Sequence, residues 1–264
     1  MKLNIVPART GLQWVKAGAR TFFRQPLALG GLFFMFMGAV SLLALIPVLG
    51  NILALALLPA ATLGLMAAAK LASEGVFPMP RVLGTAFAAG KQRMTSMLKL
   101  GGLYAGSMLT LLAFTALFDG GQFASIYLGQ TELTQELAST DGFQNAVWVA
   151  MAFYVPLAAA FWHAPALVHW HGVPAGKSLF FSILACWKNK GALLVFGLGW
   201  VGMFVLGSVV TGVLVSLLGG GALARGLVMP AVMLMASMFF SSLYFTFQDS
   251  FLTDEPASES KSDA

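Results

Sequence analysis

Six stretches of the chain carry no charged side chain: Leu27–Pro47, Asn51–Ala69, Leu100–Phe118, Ala146–Leu167, Gly191–Ala224 and Gly226–Gln248. Each comes close to or exceeds the roughly 20 apolar residues that cross a hydrocarbon core about 30 Å thick at about 1.5 Å per residue. Apolar and polar positions do not alternate with the period of two that strands of a membrane barrel need. A backbone in lipid has to satisfy its own hydrogen bonds, so these runs predict helices. The predicted fold is all-α, a polytopic membrane helix bundle with spans near residues 27–47, 51–70, 99–118, 146–168, 191–218 and 226–248. Residues 1–248 then form a single integral membrane domain. The first run follows Lys2, Arg9, Lys16, Arg20 and Arg24 and is longer than the roughly 7–15 residues of a signal-peptide core, so it reads as a span.

Before each pair of runs lies a stretch with a different pattern, basic and amphipathic. In Thr10–Arg24, Lys16, Arg20 and Arg24 recur every four residues on one helical face, while Leu12, Val15, Ala19, Phe22 and Phe23 lie mostly on another. Pro80–Leu98 sets Arg81, Lys91 and Arg93 against Leu83, Phe87, Met94 and Met97. Pro174–Lys190 sets Lys177, Lys188 and Lys190 against Phe180, Phe181, Ile183, Leu184 and Trp187. Their openings are alike: VPARTGL at Val6, VFPMPRVL at Val76 and VPAGKSL at Val173. The pattern predicts three units, each a cytoplasmic amphipathic elbow helix followed by a transmembrane hairpin.

Composition agrees with this layout. Of the 264 residues 58% are hydrophobic and only 9% charged, against about 25% charged in soluble domains. Of the 15 Lys and Arg residues, all but Arg225 fall on the side shared by the two termini, which predicts that both termini are cytoplasmic. The opposite side carries Asp119, Glu132, Glu136 and Asp141 in its one long loop, Asp119–Asn145. Residues 249–264, rich in Ser, Asp and Glu, read as a disordered acidic cytoplasmic tail. The single cysteine, Cys186, has no internal disulfide partner and reads as a packing residue.

The segments VPAR…FFRQPLAL and WHAPALVHWHGVPAGKSLFF…ACWKNK, together with the six-span layout, resemble a family of proteobacterial inner-membrane proteins of unknown function, best represented in the beta-proteobacteria. The resemblance covers nearly the whole chain apart from the long loop and the tail. It implies residence in the bacterial inner membrane but brings no activity with it. The layout is more loosely similar to other six-helix bacterial membrane families, including the membrane domain attached to some glycerophosphodiester phosphodiesterases.

Candidate chemistry gathers in Trp162–Gly172, WHAPALVHWHG, which holds all three histidines. On a straight helix His163 and His169 point roughly 120° apart, and His163 and His171 lie about 12 Å apart along the axis. No two share a zinc ion unless Pro165 breaks the helix, and no acidic residue or cysteine stands nearby to complete a set of ligands. The expectation is an interfacial belt formed by Trp162, His163, His169, Trp170 and His171 at headgroup level, where rings with a polar edge are favoured.

The spans hold no Asp, Glu, Lys or Arg in their interiors, which argues against a proton-driven pump. Pro59, Pro156 and Pro230 mark places where a span is either kinked or discontinuous. Small-residue faces at Ala60-Gly64-Ala68, Gly102-Gly106 and Ser208-Gly212 predict close helix packing within the chain. There is no Walker loop, HExxH, serine elbow or CxxC, and no cofactor or nucleic-acid partner is implied.

The expected function is that of a non-enzymatic membrane protein. Nine basic residues, Lys16, Arg20, Arg24, Arg81, Lys91, Arg93, Lys177, Lys188 and Lys190, are candidates for contact with anionic lipid headgroups. A permease or channel for a small or lipidic solute is the alternative. Whether a second copy or another membrane protein joins the bundle is left open by these residues. A reporter fused after Ala264 is expected to report cytoplasm, and one inserted near Thr131 periplasm. A periplasmic C-terminus would overturn the span count.

Overall fold

Gln25 and Pro26 turn the chain from one helix directly into the next, because proline at a helix start lacks only an N–H that has no helical partner there. The computed structural model describes residues 2–46, 48–222 and 226–252. Its helices are α1 (Thr10–Arg24), α2 (Pro26–Ala44), α3 (Leu49–Ser73), α4 (Lys91–Asp119), α5 (Gln122–Tyr127), α6 (Gln135–Ala138), α7 (Asp141–Trp162), α8 (Ala164–His171), α9 (Ala175–Lys188), α10 (Lys190–Leu217) and α11 (Val228–Ser250). A 3-10 helix covers Pro80–Phe87, and strands β1 (Lys2–Leu3) and β2 (Phe251–Leu252) pair antiparallel. Six segments are long and apolar enough to cross a membrane: α2, α3, α4, α7 with α8, α10 and α11. The fold is the all-α six-span bundle that the hydrophobic runs predict. The β1–β2 pair ties the first and last described segments together at one end of the bundle, called the terminal face below.

In α2, α10 and α11 packing is concentrated near that face, whereas α4 and α7 also bury residues toward the other end, Thr115 and Ala146 among them. The buried residues of α2 lie between Ala28 and Phe36, those of α10 are Ala192, Phe196 and Trp200, and those of α11 lie between Ser237 and Ser250. Farther from the terminal face α10 shows Val205, Val209 and Val213 on its surface, as a lipid-facing helix does. At the other end Asp119 accepts hydrogen bonds from the backbone N–H groups of Gly121 (2.9 Å) and Phe123 (2.6 Å), which starts α5.

The elbows differ from the predicted repeat. α1 is an amphipathic helix, but its apolar face packs on protein. Trp14 and Phe22 are buried, and the helix lies against α10 and α11. Gly11 and Gly18, two turns apart, make this approach: a Cβ on Gly11 would strike the backbone of Ala192, and one on Gly18 would lie 2.7 Å from Ser242 Cα. α9 packs on α7 and α8. The second elbow is not one helix over Pro80–Leu98. The chain breaks at Gly90, whose φ of +90° suits glycine, and Lys91 and Arg93 belong to the first turn of α4. The 3-10 helix folds back onto α3 instead, where Gly64 admits the backbone of Leu83.

Other expectations are corrected in the same way. Helices α3 and α7 run unbroken through Pro59 and Pro156, and α11 begins just before Pro230. The break falls at His163, ahead of Pro165. The Ala60-Gly64-Ala68 face is buried within the chain, whereas a Cβ on Gly102, Gly106 or Gly212 meets nothing within 4 Å. The membrane domain reaches past residue 248: Asp249 and Ser250 complete α11 and Phe251 is buried in the core. Arg225 and tail residues 253–264 lie outside the described residues.

Gly18→Val is expected to destabilise the detergent-purified protein by about 1–3 kcal/mol through overpacking against Ser242, read as a lower thermal midpoint. Gly197→Val, where a Cβ meets nothing within 4 Å, is expected to leave the midpoint unchanged.

Candidate functional site

The terminal face is held by a polar clasp. Asn189, buried at the junction of α9 and α10, accepts a hydrogen bond from Val6 N–H (3.0 Å). Its amide donates to Asn4 C=O (3.0 Å) and Ser250 Oγ (3.2 Å). Asn4 Nδ2 donates in turn to Asp249 C=O (2.8 Å), and Trp14 Nε1 donates to the Asp249 carboxylate (2.7 Å). These bonds join the N-terminal strand, α1, the α9–α10 junction and the end of α11. Sequence reading missed Asn4 and Asn189 and assigned Asp249 to the tail. A lone asparagine between Lys188 and Lys190 carries no periodic signal.

The WHAPALVHWHG segment follows from Pro165. A proline ring disrupts the preceding turn, and α7 ends at Trp162. In a continuous helix His163 N–H would bond to Ala159 C=O. Here the Ser182 hydroxyl of α9 is inserted between them, accepting from His163 N–H (2.9 Å) and donating to Ala159 C=O (2.7 Å). Cys186 Sγ also lies 3.6 Å from that carbonyl, and burial pushes its thiol up to about 12, so it remains an unreactive packing group. α8 then runs through the middle of the terminal half with Ala164 to Val168 fully buried.

Of the five residues of the predicted interfacial belt, Trp162 and His163 turn into the bundle, while His169, Trp170 and His171 stay half-buried at the terminal face. His163 is 1% exposed, its ring against Phe247 and Phe251, with Nδ1 unpartnered. Trp162 points inward, donating from Nε1 to Thr246 Oγ1 (3.1 Å) beside Phe196 and Phe239. Trp170 packs on Tyr244 and Phe247, and half-buried His169 and His171 pack on Trp170 and Phe247 respectively. The break at Pro165 redirects the segment into the bundle, which a straight-helix reading does not anticipate. Among the described residues no three His, Cys, Asp or Glu side chains gather as metal ligands. Two recesses flank α8 at the terminal face: one of about 730 Å³ between Lys70, His171, Tyr244 and Gln248, and one of about 490 Å³ between Arg81, Thr85 and His169.

All nine candidate basic residues are exposed. Arg24 Nη1 reaches Ser73 C=O (3.2 Å), and Lys190 Nζ lies 4.8 Å over the Trp187 ring. The exposed face of α1 mixes its charges with apolar groups: Leu12 (45% exposed) and Phe23 (69%) share the side that carries Lys16, Arg20 and Arg24. α9 repeats the arrangement, with Phe180, Ile183 and Trp187 exposed beside Lys177, Lys188 and Lys190. Phe77, Met79 and Phe87 are exposed around Arg81.

A bundle with this layout has a clear relative. The chain is 39% identical over 261 residues to a probable inner membrane protein of Burkholderia thailandensis, an alignment covering 98% of this chain and 97% of the relative. The chain belongs to that beta-proteobacterial inner-membrane family. It is a multi-pass inner-membrane protein. No family model matches it, and no solved structure does.

Asn189→Ala removes the side chain that pairs Val6 N–H and Asn4 C=O. Both groups are partly buried, so each loss is expected to cost at most about 1–3 kcal/mol, with the N-terminal segment opening to protease before the bundle unfolds. Equal protease resistance of parent and variant would show that the clasp does not hold the N-terminus.

Proposed function

We propose that this protein is a non-enzymatic organiser of the inner membrane, whose terminal face binds anionic phospholipid at the cytoplasmic leaflet. The observation that carries the reading is the exposed face of α1, where Lys16, Arg20 and Arg24 stand among Leu12 and Phe23. Charges that only orient a chain need no apolar companions. A face meant for the boundary between headgroups and acyl chains needs both, with the apolar groups at the boundary and the long basic side chains reaching the phosphates. The α9 face supports the same reading. The buried side of α1 is engaged by α10 and α11, so the helix is held rigidly in place and only its mixed face is offered to a partner.

A solute pathway would require a polar cavity reaching the middle of the bundle. The two recesses beside α8 open at the terminal face, at the helix ends, and the recess between α4, α5 and α7 is lined by Met108, Leu111, Phe123, Ala150, Met151 and Tyr154. This arrangement favours the organising reading over a permease.

Replacing Lys16, Arg20 and Arg24 together by Gln is expected to weaken binding of phosphatidylglycerol to the detergent-purified protein. The upper bound is about 3 kcal/mol, at about 1 kcal/mol per charge before salt screening over about 8–10 Å. Topology reporters should be unchanged, because Lys2 and Arg9 remain. Unaltered lipid binding with inverted or mixed topology would reduce the three charges to orienting signals and overturn the proposal.

A further inference from the structure

The outer surface of α4 carries a groove unrelated to the α1 face. It holds about 560 Å³, within the range of small-molecule sites, with Gly102, Gly106 and Thr110 as its floor and Phe114, Phe153 and Leu157 as its walls. The floor is open: a Cβ on Gly102 or Gly106 meets nothing within 4 Å. Two hydroxyls line it, Ser107 and Thr110, and Thr110 Oγ1 donates to Gly106 C=O (2.8 Å); glycines, leucines and phenylalanines make up the rest, so the groove is mainly hydrocarbon. Phe114 packs edge-on against Phe153 with ring centroids 5.1 Å apart and closes the far end. From Gly102 to Phe114 the helix rises about 18 Å, close to the roughly 15 Å depth of one leaflet. At the open end, one turn before Gly102 and on the same stripe of the helix, stands the exposed Lys99.

We infer that this groove is a binding site for one anionic phospholipid of the leaflet at the terminal face, its acyl chain lying along Gly102–Phe114 and its phosphate held by Lys99. Length, closure at Phe114 and a cation at the mouth fit a lipid with a charged head. A second copy of the chain fits less well. Small residues at four-residue spacing do permit helix pairing. A symmetric parallel pairing through Gly102 and Gly106, however, would bring two Lys99 ammonium groups together within one turn of the crossing, a like-charge contact where an anionic lipid offers an opposite charge. The site does not depend on Lys16, Arg20 or Arg24.

The test uses the full chain in phosphatidylethanolamine vesicles doped with phosphatidylglycerol that carries a photoreactive diazirine on one acyl chain, with phosphatidylcholine bearing the same chain in parallel. Mass spectrometry of the labelled peptides locates the chain. Label is expected in α4 between Gly102 and Phe114 and in α7 between Phe153 and Leu157, with phosphatidylglycerol favoured roughly fivefold by one surface charge. Lys99→Gln should erase the preference, and Gly106→Leu, which fills the open floor without meeting backbone, should reduce label from both lipids. The Lys16, Arg20 and Arg24 triple substitution should change neither result, so this site and the α1 face fail separately. Equal labelling by the two lipids in the parent, a preference that survives Lys99→Gln, or cross-links between two α4 helices in place of lipid label would each overturn the inference.

Discussion

In hydrocarbon every backbone N–H and C=O has to find a partner within the protein, and an unpaired group costs several kcal/mol. The fold is organised around the places where helical bonding lapses. At the α7–α8 break the Ser182 hydroxyl stands between His163 N–H and Ala159 C=O. At the α9–α10 junction Asn189 answers the backbone of Asn4 and Val6. After α4 the Asp119 carboxylate takes the N–H groups of Gly121 and Phe123. Each repair fixes an angle between two helices, because the side chain that closes the gap comes from a particular neighbour or turn.

Two of these repairs lie toward the terminal face, and the packing follows them. A helix pair pinned at one end can close tightly there and diverge beyond. Trp14, Phe196 and Trp200 are buried close to the pinned end of α10, while Val205, Val209 and Val213 face outward. Lipid tails are as apolar as these side chains, so divergence carries no hydrophobic penalty. The stripe Ser237, Ser241, Ser242, Thr246 and Ser250 on α11 serves the same tight end. Ser237 donates to Leu29 C=O (3.1 Å), Trp200 donates to Ser242 Oγ (3.2 Å), and the small side chain of Ser242 receives Gly18.

Hydrophobic runs made the six spans legible, because length and lack of charge are local properties of a stretch. The amphipathic spacing of α1 was legible for the same reason. What covers its apolar face was not, because Ala192 and Ser242 lie far along the chain from Gly11 and Gly18. The histidine segment misled through its own assumption of a straight helix. Pro165 carried the opposite signal, and its consequence required Ser182, nineteen positions after His163, to be in place. Glycine spacing was ambiguous throughout. Gly64 packs on backbone and Gly106 on nothing, although both sit in four-residue patterns of small residues.

Buried polarity in this protein is therefore committed to repairing and joining backbone, and its charges lie elsewhere. His163, the fully buried titratable ring, packs against Phe247 and Phe251 with Nδ1 unpartnered among the described residues. Lys70 and the nine candidate residues reach the surface at the terminal half, Lys70 and Arg81 at the rims of the two recesses. A reaction centre concentrates perturbed groups in a cleft. This chain spreads unburied cations over an apolar surface around one end of the bundle, and the partner proposed for such a face is broad, anionic and partly apolar. A bilayer leaflet has all three properties. On the proposed reading the clasp serves that contact: by tying β1, α1 and α11 together it fixes the α1 face relative to the spans, which is what a face meant to meet the headgroup layer at a set depth requires.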